Sequence, residues 1–320
     1  MRAASDRIGY FGKIPARSDF VKVAQDGPVM GMLDDWLAHV MCKLPADPRW
    51  KLNYDAMAPV NFAFVGPSRR HAVAGHLVAS RDQAGRRYPF MMMRTLDVTD
   101  PAAFVAGSPI AFAPLWTFFE TMAPQVLAAE DPAPHLQAII DASVALVEGD
   151  GSLAAFLATG TISSLGALLG VGDVSRLILA LGLLLQPVMH SKPAALHKSL
   201  LLPLPGDATM RCVAAAFWLE LIAPFVRRVD FDLALFLTQQ DGKPALVIGF
   251  CGAAGDTLRA IIDPVAGNEQ QVRFADTGWV DEQLGIDIDV RALASYLDQP
   301  QLPLRMAREL FLKTFIGAAS

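Results

Sequence analysis

The sequence predicts an α/β fold of the α+β kind: an antiparallel sheet with flanking helices, then a helix-rich second half. Three observations predict it. Short apolar runs separated by turn residues recur in both halves. Two pairs of such runs read as hairpins. Between them lie longer stretches with apolar residues at helical spacing. The chain has 320 residues, 53% of them hydrophobic and 18% charged, which excludes intrinsic disorder and leaves ample material for a core.

Ile8-Gly9-Tyr10-Phe11 is a short apolar run that meets Gly12 and Pro15, so it reads as a strand ending in a loop. From Val29 to Leu44, the residues Met32, Leu33, Trp36, Leu37, Val40, Met41 and Leu44 mark a helix. Pro45 and Pro48 stop it. Val60, Phe62 and Phe64 alternate as one face of a strand. Ala72–Ala79 and Tyr88–Leu96 are apolar runs joined by the polar connection Ser80–Arg87, which predicts a hairpin. Ile110–Met122 and His135–Val147 read as helices.

The best boundary lies between about Asp131 and Asp150, giving an N-terminal domain over 1–140 and a C-terminal region over 141–320. The second half opens with two apolar stretches. Gly151–Gly172 has no charge but is diluted by five glycines, and Leu177–Met189 is too short for a span of roughly 20 residues. Both read as buried helices, and no membrane span is expected. Ala194–Leu204 is a short apolar segment, and Met210–Val226 a helix up to Pro224. Phe231, Leu233, Leu235 and Leu237 alternate, Asp241-Gly242 turns the chain, and Ala245–Phe250 returns as a second hairpin. Leu258–Ile262 reads as a further strand, and Val290–Ile316 as helix broken at Pro300 and Pro303.

Charge and motifs exclude several functions. There are 27 basic and 32 acidic side chains, a net charge of −5, which disfavours a nucleic-acid partner. The three cysteines, Cys42, Cys212 and Cys251, are far apart and form neither a disulfide framework nor a metal clamp, so a reducing, cytoplasmic setting is expected. The N-terminus shows no secretory leader. Gly9–Lys13 fails as a phosphate loop, because Ile14 stands where Ser or Thr must ligate magnesium. Gly249, Gly252 and Gly255 follow a hairpin rather than open a βαβ unit, so a dinucleotide site is not expected. The six histidines make no zinc-binding helix pair, and no G-x-S-x-G elbow occurs. Cys251, beside Phe250, reads as core. No cofactor and no metal are expected.

Two polar clusters remain, Lys13–Phe20 and Ser80–Arg87. Each mixes an Asp with Arg or Lys between apolar runs. One reading is architectural: Asx turns, caps and surface ion pairs. The other is that the two loops meet and form a recognition surface.

At these clusters the chain resembles the TagF family (also called ImpM or SciT) of type VI secretion accessory proteins. The family signature G-x-F-G-K-x-P-x-x-G-D-F-V stands here as Gly9 to Val21, with Ser18 in place of the usual Gly. A tryptophan follows in the next helix, and Trp36 and Trp50 fit that pattern. The second signature, P-S-x-D-x-V-G-R-x-F-P-L, stands as Ala79 to Phe90. Asp82, Gly85, Arg86 and Pro89 match, while Ala79, Ala84, Tyr88 and Phe90 depart mildly. The likeness covers residues 8 to about 100. It is fainter later, around Pro203-Leu204-Pro205, Phe217-Trp218-Leu219 and Ile248-Gly249-Phe250.

The resemblance implies a longin-like N-terminal domain without catalytic activity. It implies post-translational repression of type VI secretion through a forkhead-associated (FHA) scaffold protein, within a threonine kinase and phosphatase pathway. Lys13, Arg17, Asp19, Asp82, Arg86 and Arg87 are the candidate recognition or bracing residues. They are expected near one another, with Asp19–Arg86 the preferred ion pair. Gly12, Pro15, Gly85 and Pro89 are expected to shape the backbone. The alternatives are a structural subunit of the secretion baseplate, or an enzyme using the Asp and Arg cluster on a phosphorylated substrate.

Overall fold

Every long strand carries apolar side chains on both faces, so the sheet must be covered twice. In β3 (Val60–Val65), Phe62 and Phe64 point to one core while Ala63 and Val65 point to the other. In β7 (Leu233–Gln240), Ala234 and Phe236 join the first core, and Leu233, Leu235 and Leu237 the second. The resulting architecture is three layers, helices on either side of a single sheet. The computed structural model describes residues 7–24, 26–147, 151–187, 196–227, 231–274 and 277–317.

The remaining strands are β1 (Ile8–Gly12), β2 (Val21–Val23), β4 (His71–Val78), β5 (Phe90–Asp97), β6 (Ser199–Pro203), β8 (Lys243–Gly249) and β9 (Gln271–Arg273). Their order is β2-β1-β5-β4-β3-β7-β8-β6-β9. All neighbours are antiparallel except β6 and β9. The sheet passes from the first half of the chain to the second at β3 and β7, where Ala63 faces Leu235. The β4–β5 hairpin closes with Val78 opposite Phe90, which sets the polar loop between them at one end of the sheet. The β7–β8 hairpin turns at Asp241 (φ 52°) and Gly242 (φ 74°), the positive angles a two-residue turn requires.

The helices are α1 (Gly27–Lys43), α2 (Trp50–Asp55), α3 (Pro101–Ala128), α4 (Ala133–Asp141), α5 (Ser152–Thr159), α6 (Ile162–Leu169), α7 (Val174–Leu185), α8 (Ala208–Arg227), α9 (Gly255–Ile262), α10 (Pro264–Gln270), α11 (Val280–Ile286), α12 (Ile288–Leu297) and α13 (Leu304–Ile316). On one face α1 and α9 pack together, with Trp36 against Phe62, Phe64 and Phe236. Asp26 caps α1 by accepting from the Val29 amide. On the other face α3 packs against α8, joined by α13 and the shorter helices.

α3 extends well beyond the expected Ile110–Met122. Asp100 caps it through the Ala103 amide, and Pro101 starts its first turn. It continues through Pro109, Pro114 and Pro124. At Pro109 the missing amide leaves the Val105 carbonyl without its helical donor, and the Ser108 hydroxyl supplies one at 2.9 Å. α8 likewise continues past Pro224 to Arg227.

Three expectations need correction. Leu258–Ile262 is helix, the end of α9, not strand; Leu258, Ile261 and Ile262 share one face and bury it against α1. That i, i+3, i+4 spacing is the helical one, over a run of little more than one turn. The helix expected over His135–Val147 ends at Asp141, because the following segment is extended and its Val144 carbonyl accepts from Arg94 at 2.6 Å. Cys251 is exposed; only its neighbour Phe250 is core.

The apolar stretches of the second half form α5, α6 and α7, while residues 188 and 189 lie outside the described residues. α3 and α8 are each long and apolar enough to cross a membrane by length and composition. The pair α6–α7, bent by 93°, passes the same test together. In this fold 50% of the tested window of α3 and 61% of that of α8 is buried inside the protein.

Candidate functional site

The two polar loops leave the same end of the sheet, because β1 pairs with β5 and Gly12 sits opposite Phe90. This pairing brings the chain after β1 beside the β4–β5 loop. Gly12 has φ 135°, and a side chain there would put its Cβ 2.0 Å from the Pro89 carbonyl oxygen. Only glycine permits that approach. The loop backbones then join directly, the Gln83 amide donating to the Arg17 carbonyl at 2.9 Å. The Ser80 hydroxyl donates to the Lys13 carbonyl at 2.6 Å, and the Tyr54 hydroxyl of α2 donates to the Ser80 carbonyl at 3.0 Å.

Asp82 is the centre. Its Oδ1 accepts from the amides of Ala84 at 3.0 Å and Arg86 at 2.9 Å. Its Oδ2 accepts from Lys13 Nζ at 2.8 Å and Arg86 Nε at 2.7 Å. Both Lys13 and Asp82 are buried. The Lys13 ammonium, and after it the Arg86 amide and guanidinium, hold the Asp82 carboxyl well below the usual carboxylate range despite its desolvation. Arg86 also donates from Nη2 to the Ser18 carbonyl at 2.8 Å, tying the first loop to the second. Gly85, at φ 79°, turns the loop so that Arg86 folds back onto Asp82.

The expected Asp19–Arg86 pair is replaced by Arg86–Asp82, an i, i+4 contact within one loop. Asp19 instead accepts from the Phe20 amide at 2.8 Å and stays exposed. The Arg17 side chain reaches Asp131 at 3.3 Å, an exposed pair. Arg87 is bidentate to Asp55 of α2, with Nε 2.8 Å from Oδ1. That contact holds the Asp55 carboxyl down. Pro15 is exposed and Pro89 buried. Ser18 needs no left-handed backbone: Asp241 is the one non-glycine residue with positive φ among the described residues.

Three aromatic rings from the same two signatures, Phe11, Phe20 and Tyr88, complete the surface. Phe20 stacks on Phe11 at 5.3 Å and meets Tyr88 edge-on at 4.9 Å. The Lys13 ammonium lies 5.0 Å from the Phe20 centroid, and Lys22 lies 5.3 Å from that of Phe11. Phe20 remains 43% exposed, an aromatic side chain held at the surface beside fixed charges. Its only sequence signal is a phenylalanine directly after the acidic residue of the first motif.

The arrangement separates the motif residues by role. Lys13, Asp82 and Arg86 lock the loops to one another, and Arg87 locks the second loop to α2. Arg17, Asp19 and Phe20 face outward. Both oxygens of Asp82 are engaged twice over, so its carboxylate has no position left for abstracting a substrate proton. Among the described residues no group of three or more His, Cys, Asp or Glu could hold a metal ion.

Residues 9–143 match the family model of the TagF N-terminal domain, type VI secretion system-associated. Over that stretch the chain is similar to TagF N-terminal domains. The TagF match begins within β1, includes both locked loops, and ends just after α4. The crystal structure of PA0076 from Pseudomonas aeruginosa PAO1 is also similar, at 22% identity and a TM-score of 0.34, covering 43% of this chain and 64% of that one. The matched part is thus less than two thirds of PA0076. No curated protein matches the chain.

Proposed function

We propose that this protein is a non-enzymatic, cytoplasmic accessory of type VI secretion that represses it by binding the FHA-domain scaffold protein. The outward face of the two TagF loops is the docking surface. One observation carries this reading. Asp82, bonded to Lys13 and Arg86, fixes both loops in one arrangement, so Arg17, Asp19 and Phe20 project from a rigid base. A preorganised aromatic flanked by charges suits protein recognition, because little side-chain freedom is lost on docking. The engagement of Asp82 on both oxygens also favours binding over acid–base chemistry.

Residues 1–140 supply this face. We assign 141–320 the role of supporting it, through the shared sheet and the packing of α8 on α3. Co-purification with the scaffold tests the proposal. Wild type is expected to retain it, and Phe20→Ala to lose it while still folding cooperatively. Retention by Phe20→Ala and Asp19→Ala alike, or co-purification with baseplate proteins instead, overturns it.

A further inference from the structure

A cavity of about 740 Å³ opens between α3, α8 and the ends of β3, β4 and β7, and none of the loop-motif residues named above lines it. Both halves of the chain line it. Its walls are largely apolar, with Trp116, Leu127, Leu204 and Leu237 among them. Its volume lies within the range of roughly 300–1,000 Å³ typical of small-molecule sites.

One polar chain of contacts runs into this cavity. Asn61 donates from Nδ2 to Glu120 Oε1 at 2.7 Å. A carboxylate only accepts, so the amide is oriented with Nδ2 toward Glu120 and Oδ1 toward His76. Asn61 Oδ1 lies 2.6 Å from His76 Nδ1. An amide oxygen also only accepts, so the proton of His76 sits on Nδ1. Burial pushes His76 down to about 4, leaving the ring neutral at pH 7. Its Nε2 is then an acceptor, and no donor reaches it among the described residues. His76 is only 2% exposed and lines the cavity.

We infer that this cavity binds an uncharged, mostly apolar small molecule whose hydroxyl or N–H donates to His76 Nε2. The walls exclude a strongly polar ligand. The charged lining residues, Glu120 and Arg211, have opposite signs and are already engaged. Glu120 accepts from Asn61, while Arg211 donates to the carbonyls of Pro205 at 3.2 Å and Gly206 at 2.8 Å. Their opposite signs leave the lining with no net charge to select a charged ligand. The tautomer of His76, fixed from Glu120 through Asn61, selects a donor over an acceptor.

The test titrates the full chain with 2-naphthol and with 2-methoxynaphthalene, which has a similar ring body but no donor. Trp116 fluorescence and the ¹⁵N resonance of His76 Nε2 report binding. The naphthol is expected to bind at least about tenfold tighter, the worth of one buried hydrogen bond, and to shift Nε2. His76→Phe is expected to erase that preference. Because His76→Phe can fail to fold, Ala113→Trp fills the cavity from α3 and is expected to abolish binding. Equal binding of the two probes overturns the inference. So does no binding of the naphthol at its solubility limit, or binding that survives Ala113→Trp.

Discussion

Lys13 Nζ lies 2.8 Å from Asp82 Oδ2, with both side chains out of solvent and 69 residues between them in the chain. Removing one member of such a pair strands the other charge in a dry site, which costs more than the pair contributes. Asp82→Ala strands the Lys13 ammonium and is therefore expected to lower Tm by at least about 5 °C, and Lys13→Met by less, since Arg86 and two amides still hold the Asp82 carboxylate. The double variant is expected to recover part of the Asp82→Ala loss, since the buried ammonium is then gone as well. Thermal melts of the three variants and wild type check this as a double-mutant cycle.

Acid should weaken the protein in two stages. The folded pKa of His76 is depressed to about 4 from 6.5, so its contribution is full above 6.5 and is lost as pH falls toward 4. That window is worth about 3 kcal/mol. Asp82 is also depressed when folded, so its contribution is full above the unfolded value of about 3.9 and is lost below it. Urea unfolding from pH 8 to pH 3 is expected to show the first decline in wild type and its removal in His76→Phe, if that variant folds.

Gly12 and Gly85 both have positive φ but differ in surroundings. A Cβ at Gly12 meets the Pro89 carbonyl oxygen at 2.0 Å, whereas one at Gly85 meets nothing within 4 Å. Gly85→Ala is expected to cost about 1 kcal/mol, the backbone penalty alone. Gly12→Ala must also displace β5, so it is expected to cost several times more. Denaturant midpoints of the two variants make the comparison.

The three thiols should react in a set order. Cys42 is exposed on α1. Cys251 is exposed too, but partial burial raises its thiol pKa. Cys212, beside the cavity, is pushed up to about 12 by desolvation. Thiolate is the reactive form. Native protein at pH 8 is expected to label fastest at Cys42 and slowest at Cys212, as mass spectrometry of alkylated peptides would show.

Much of the fold was legible because local chemistry and tertiary packing agreed. Asp241-Gly242 supplied a turn that only positive φ satisfies, and the flanking runs paired as its geometry requires. Leu258–Ile262 was misread because five residues, with Arg259 among them, span too little more than one helical turn for the i, i+3, i+4 spacing to stand out. The loops were legible as motifs, but their internal partners were not. Arg86 binds Asp82 within its own loop rather than Asp19 across the gap, since Gly85 folds the chain back there. Asn61, His76 and Glu120 carried no signal: they lie on two strands and a helix, and only the β3–β4 register and the packing of α3 bring them together.

The most direct test of the central claim is the affinity of the purified FHA scaffold protein for wild type and for the Asp19→Ala, Phe20→Ala double variant, each with its melting curve. Loss of at least about tenfold in affinity in a variant that still folds cooperatively is the predicted result, since both side chains face outward and Phe20 touches the rings of Phe11 and Tyr88 and the Lys13 ammonium. Unchanged affinity in a normally folded double variant would contradict the account and move the docking face away from the two loops.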